Sequence, residues 1–127
     1  MSTTTAVMTT TEIANRLVEL CSKGDFETAQ KELFADDVVS IEPYATPAFE
    51  KESRGLDAII EKGYKWHSMV KEYHGMKVSK PLEAKSSFAV TMFMDVTMKE
   101  GNERMAMTEL CVYNVKDGKI VSEQFFM

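Results

Sequence analysis

The spacing of apolar residues changes once along this 127-residue chain, near residue 70, and that change sets the fold class. Ahead of it apolar side chains recur at helical intervals, and from Tyr73 onward nearly every segment alternates between apolar and polar. Helices followed by a long meander of strands make an α+β domain, in which the sheet must curl around the helices to cover their apolar faces. At this length roughly two thirds of the surface can be buried in one core, so a single domain over residues 11–127 is expected after a flexible tail, residues 1–10.

The spacing predicts a first helix over Thr9–Cys21, with Ile13, Leu17, Leu20 and Cys21 on one face and a capping box formed by Thr9 and Glu12. Gly24 ends it. Asp25 then caps a second helix carrying Phe26, Ala29 and Leu33. A short strand, Val38–Pro43, follows, and a third helix over Leu56–Val70 presents Ile59, Ile60, Gly63, Trp66 and Val70. Strands are predicted at 73–80, 86–99, 104–116 and 119–127.

Composition excludes several classes of function. A net charge of −5 with no basic stripe argues against nucleic acid as a partner. No apolar run approaches the ~18 residues of a spanning helix, so no membrane partner is expected. Cys21 and Cys111 each sit in an apolar pattern, which predicts two buried thiols and a cytoplasmic location. Together with His67 and His74 they make no metal-ligand spacing. Glycine-rich phosphate loops and a serine elbow are also missing, so neither metal nor cofactor is expected.

A two-residue Gly101-Asn102 turn would pair Met98 with Met105, Val96 with Met107, Met94 with Glu109, Met92 with Cys111 and Val90 with Tyr113 on one face. Glu109 then stands as one acid among apolar neighbours, where burial favours its protonated form. Five methionines on that face, at 92, 94, 98, 105 and 107, suit a plastic apolar cavity. Its expected lining is Met92, Met94, Met107, Cys111 and Tyr113, with Trp66 and His67 near the mouth. The other face carries Phe93, Leu110 and Val112, an expected homodimer surface. In the last hairpin, a two-residue Asp117-Gly118 turn puts Ser122, Gln124 and Phe126 beside Glu109, whereas a bulged turn puts Val121, Glu123 and Phe125 there; the bulged form is preferred.

The order of elements, with the strings CSKGDFETAQKELFADDVVSIEP, RGLDAI and VYNVKDGKIVSEQFF, resembles the SnoaL-like branch of the nuclear transport factor 2 (NTF2) superfamily from about Thr11 to Met127. The resemblance implies an NTF2-like cone: three N-terminal helices on one strongly curved antiparallel sheet with a central pocket, often as a dimer. Members include isomerases, polyketide cyclases, dehydratases and non-catalytic binders. Similarity to ketosteroid isomerases matches Glu42, before Pro43, to their general base and Glu109 to their protonated oxyanion-hole acid. Their helix-one tyrosine falls at Leu17, which lacks its hydroxyl. The expectation is a small apolar or carbonyl-containing ligand and cofactor-free acid/base chemistry (isomerisation, cyclisation or dehydration), with Glu42 as base and Glu109 as proton donor. The alternative is a non-catalytic ligand-binding or dimerisation module.

Overall fold

The computed structural model describes residues 7–127; the part of the expected N-terminal tail before Val7 lies outside the described residues. Helix α1 (Thr10–Ser22) begins at the expected capping box: Thr9 Oγ1 accepts the Glu12 N–H at 3.1 Å, and Glu12 Oε1 accepts the Thr9 N–H at 2.9 Å. It ends in a left-handed Gly24, φ +80°, with the Gly24 N–H on the Cys21 carbonyl and the Asp25 N–H on the Leu20 carbonyl. Those two bonds satisfy carbonyls that the helix end leaves free. Asp25 occupies the N-cap of α2 (Phe26–Leu33), but its side chain makes no capping bond, contrary to expectation. Its backbone is tied down instead by the bond to Leu20.

Strand β1 (Phe34–Ile41) starts four residues earlier than the apolar run suggests, because Phe34 already pairs with Ile120 and the following residues bulge out before pairing resumes at Val39. Pro43 lies beyond its end. The short β2 (Glu52–Arg54) folds back on β1, and α3 (Leu56–Met69) then packs against both. The meander follows as β3 (Val70–Val78), the two-residue β4 (Leu82–Glu83), β5 (Ser87–Met98), β6 (Arg104–Lys116) and β7 (Lys119–Phe126). The sheet runs β2-β1-β7-β6-β5-β3, with β4 beside β5. It is antiparallel except where β7 meets β1, and that parallel contact brings the last strand beside the first.

Two registers depart from the sequence reading. Between β5 and β6, Met92 faces Glu109, Met94 faces Met107, Val96 faces Met105 and Val90 faces Cys111. The strands are offset by two residues from the expected pairing because the connection is longer than a two-residue turn. Residues Glu100–Asn102 form a 3-10 turn with left-handed Gly101 and Asn102, and the Met98 N–H closes on the Glu103 carbonyl at 2.7 Å. A shift of two leaves every side chain on its expected face. In the last hairpin the turn is the short one, with Asp117 and Gly118 both at positive φ. The extra residue sits in the strand instead: Val121 is skipped between the Val115–Ile120 and Asn114–Ser122 pairs, so Glu123 and Phe125 join the Glu109 face after all.

The core lies where the three helices meet the concave face: Ile13, Leu17, Leu33 and Ile59 pack with Val38, Phe88, Val90, Cys111, Tyr113 and Ile120. Among the described residues no helix is long and apolar enough to cross a membrane. Gly118 has φ +76°, and a Cβ there would collide with the Val7 side chain. Left-handed backbone costs an L-residue about 1–2 kcal/mol. Gly118→Ala is therefore expected to lower the unfolding free energy by about 1–2 kcal/mol, read from urea denaturation; an unchanged midpoint contradicts this placement of the turn.

Candidate functional site

Alternation along β1 puts Val38, Ser40 and Glu42 on the side that faces α3. Val38 and Ser40 are fully buried, and Glu42, just past the strand, is held by its N–H on the Lys51 carbonyl at 2.7 Å. On α3, Lys62 stands three residues after the buried Ile59 and four before Trp66, so its stem lies on the inward stripe. Its ammonium donates to Glu42 Oε2 at 2.8 Å and to Ser40 Oγ at 2.8 Å. Ser40 in turn donates to Glu123 Oε1, also at 2.8 Å. The parallel β1–β7 pairing sets Ser40 directly beside Glu123, which is why the hydroxyl can bridge them.

Glu109 lies across from Met92 and is half-buried. Burial holds its carboxyl above the usual range, Glu42 adds to the rise, and Lys62 opposes it. Lys62 acts here through space, since its ammonium is already bonded to Glu42 and Ser40. Glu123, 5% exposed, is pushed up to about 7 by burial; Lys62 and the Ser40 hydrogen bond pull it down, while Glu42 and Glu109 push it further up. Three carboxylates thus share the influence of one ammonium at the concave face, where each charge resists loss of water.

Of the other residues singled out in the sequence, Cys111 and Tyr113 follow Glu109 on the same face but are 1% and 2% exposed. They belong to the closed core. Tyr113 stacks on Phe88 with centroids 4.9 Å apart, and burial pushes its hydroxyl well up. Burial likewise raises both thiols, Cys21 to about 12, so neither is a ready nucleophile. Met92 packs against the core, and Met94 and Met107 pair further along toward the hairpin, half-buried. Trp66 is half-buried and meets the Tyr73 hydroxyl. His67 is exposed, stacked on Tyr73 at 5.6 Å with its Nδ1 3.1 Å from that hydroxyl, and so belongs to an outer aromatic group rather than to the carboxylates. Two surface clefts, of about 260 Å³ beside Leu82 and Val112 and about 430 Å³ beside Asp36 and Arg54, lie away from the carboxylates.

Sequence reasoning missed Lys62 and Ser40 and left Glu123 as one of two registers. The signal for Lys62 was its place on the apolar stripe of α3, where the ammonium must reach either water or an acid.

A carboxyl whose folded pKa is raised gives up stability as pH climbs from its unfolded value toward its folded one. Glu123 spans that window from about 4.5 to about 7. Glu123→Gln cannot ionise, so its stability relative to wild type is expected to rise by about 3 kcal/mol between pH 4.5 and 7.5. Urea unfolding at several pH values reads the difference, and a flat difference contradicts the buried acid.

The comparisons with known proteins agree with this fold. The SnoaL-like domain family matches residues 8–127. A Mesorhizobium loti protein, solved under the name of a SnoaL-like polyketide cyclase with carbohydrate phosphatase as a second name, is 37% identical, with 94% of this chain and 100% of that one covered at a TM-score of 0.87. An NTF2-like protein of Burkholderia pseudomallei is 15% identical, covering 91% and 87% at 0.72. A Catenulispora acidiphila protein of ketosteroid isomerase-like fold, in complex with trimethylamine, is 17% identical, covering 94% and 87% at 0.66. The last two share the fold alone. Among curated proteins none matches significantly. Three helices on one curled sheet, as expected for an NTF2-like cone, are observed, with β7 parallel to β1 where an antiparallel sheet was expected, and the chain belongs to the SnoaL-like domain family.

Proposed function

We propose that the protein binds a small, mostly apolar carbonyl compound against the concave face and moves a proton at the carbon next to the carbonyl, with no cofactor. The observation that carries this reading is that two acids of one face stand in opposite surroundings. Glu42 is ion-paired with Lys62 at 2.8 Å, as an anionic base requires. Glu109 is driven toward its neutral form by burial and by Glu42 itself, as a hydrogen-bond donor to a carbonyl oxygen requires. Met92, Met94 and Met107 on the same face supply adaptable apolar contact. One of the two names of the Mesorhizobium relative, polyketide cyclase, falls in the same class of reaction, since cyclisation of a polyketide begins with loss of such a proton; the other, carbohydrate phosphatase, does not.

In this reaction Glu42 takes the α-proton, Glu109 donates a hydrogen bond to the developing oxyanion, and the proton returns at the same or another carbon. Deuterium exchange at the α-carbon of cyclohexanone, followed by NMR, tests it. Wild-type protein is expected to speed the exchange, and Glu42→Gln to lower the rate on the order of 10²- to 10⁴-fold. Glu109→Gln is expected to retain most of the ketone binding. Binding with no exchange in the wild type turns the conclusion to the non-catalytic ligand-binding module.

The dimer is proposed on a separate observation. Leu110 and Phe126 are register partners on the outer face and are 42% and 44% exposed, beside half-buried Phe93 and Val112. Light scattering is expected to give twice the 14.4 kDa chain mass, and Leu110→Glu to reduce it to one chain; a wild type of single-chain mass removes this proposal. Two free, buried thiols support placing the protein in the cytoplasm.

A further inference from the structure

Lys62 is the one cation, among the described residues, that acts on both Glu109 and Glu123. Its ammonium has three protons to donate. Two are engaged, by Glu42 Oε2 and Ser40 Oγ, and the nitrogen stands 5.7 Å from the centre of the Phe125 ring. The Lys62 side chain is 17% exposed and that of Glu42 25%, so a ligand can reach both while most water is kept from them.

We infer that Lys62 is a catalytic residue of the proposed proton transfer, the cation that pairs first with Glu42 and then with the oxyanion formed on a neutral ketone or aldehyde. The inference rests on the reading of Glu42 as base. When the α-carbon's C–H bond breaks, its proton goes to a Glu42 oxygen. The electron pair left on carbon becomes the new C=C bond, and the carbonyl π pair moves onto oxygen. One negative charge therefore leaves Glu42 and appears on the substrate. An ammonium within reach of both sites stays neutralised before and after, and needs only to redirect a donor. In a site that excludes most water such compensation counts for far more than in solution.

Two further features fit this role. Leu17 is 1% exposed within the core, so no hydroxyl donor comes from α1 at that point, and an oxyanion held by Glu109 alone would have a single neutral donor. Ser40, itself held by Glu123, gives the ammonium a second fixed partner besides Glu42, which limits its freedom to drift into solvent. The same arrangement sets the substrate class. A ligand that arrives already anionic, such as a carboxylate or a phosphate ester, would meet Glu42, Glu123 and Glu109 around one cation already paired, whereas a neutral carbonyl acquires its charge only as Glu42 loses its own.

The test uses the full chain and 4-nitrophenolate, whose delocalised oxyanion imitates the enolate but has no α-proton to lose. In mildly alkaline buffer, Glu42→Gln leaves Lys62 without the one carboxylate bonded directly to it and is expected to bind 4-nitrophenolate about tenfold or more tighter than wild type. The double variant Glu42→Gln/Lys62→Met is expected to lose that gain, and Glu42→Gln/Lys62→Arg to keep part of it, which separates loss of charge from loss of fold. A Glu42→Gln protein with no gain, or a double methionine variant that keeps it, overturns the assignment. Because this probe requires no proton abstraction, a protein that passes here yet exchanges no proton in cyclohexanone loses Glu42 as base while retaining an oxyanion site at Lys62.

Discussion

Successive side chains of a strand point to opposite faces, so one residue too many in β7 exchanges everything beyond it between core and solvent. Val121 is that residue. Up to Ile120 the strand buries an apolar side chain opposite Val115; after the bulge it is Glu123 and Phe125 that turn inward, opposite Tyr113 and Cys111. Without it, Ser122 and Gln124 would fill those places, and Ser40 would have no carboxyl beside it. The hydrogen-bonded line from Glu42 through Lys62 and Ser40 to Glu123 therefore depends on a backbone irregularity 59 residues along the chain from the lysine.

The cost of that line is desolvation. A buried carboxyl held above its ordinary range is a destabilising choice at neutral pH compared with an apolar side chain of similar size. Positioning is what it gains, because each group in the line has a partner and no buried side-chain polar atom among the described residues lacks one. The rest of the concave face is arranged to tolerate this: methionines toward the β5–β6 connection, packed thiols and the Phe88–Tyr113 stack in the core.

Much of this could be read from the chain because period and parity survive errors of register. The capping box at Thr9 and Glu12, the glycine corner at Gly24, and the change from helical spacing to alternation all rest on local backbone chemistry, and the structure bears them out. Glu109 reached its expected face although its partner is Met92 rather than Met94, since the error was an even number of residues. The last strand was harder: a bulge in the turn and a bulge in the strand give the same parity downstream, and only the strand pairing in the folded chain separates them. Lys62 was hidden by its residue type. A lysine on an apolar helical stripe reads as a snorkelling side chain until the acid that faces it, 20 residues away and on another element, is known.

The open sheet leaves two borders, and their construction bears on how copies of this protein can meet. Along one, β3 carries Lys71, Glu72, His74 and Lys77 and loses register twice, at Val70/Glu72 and at Tyr73/Gly75. The other is the three-residue β2, preceded by Lys51, ending in Arg54 and too short to template a neighbour. Charge, irregularity and brevity are the devices that keep a strand border from recruiting another chain by backbone pairing. Both borders are thereby steered away from the edge-to-edge growth by which β-rich proteins polymerise into fibrils.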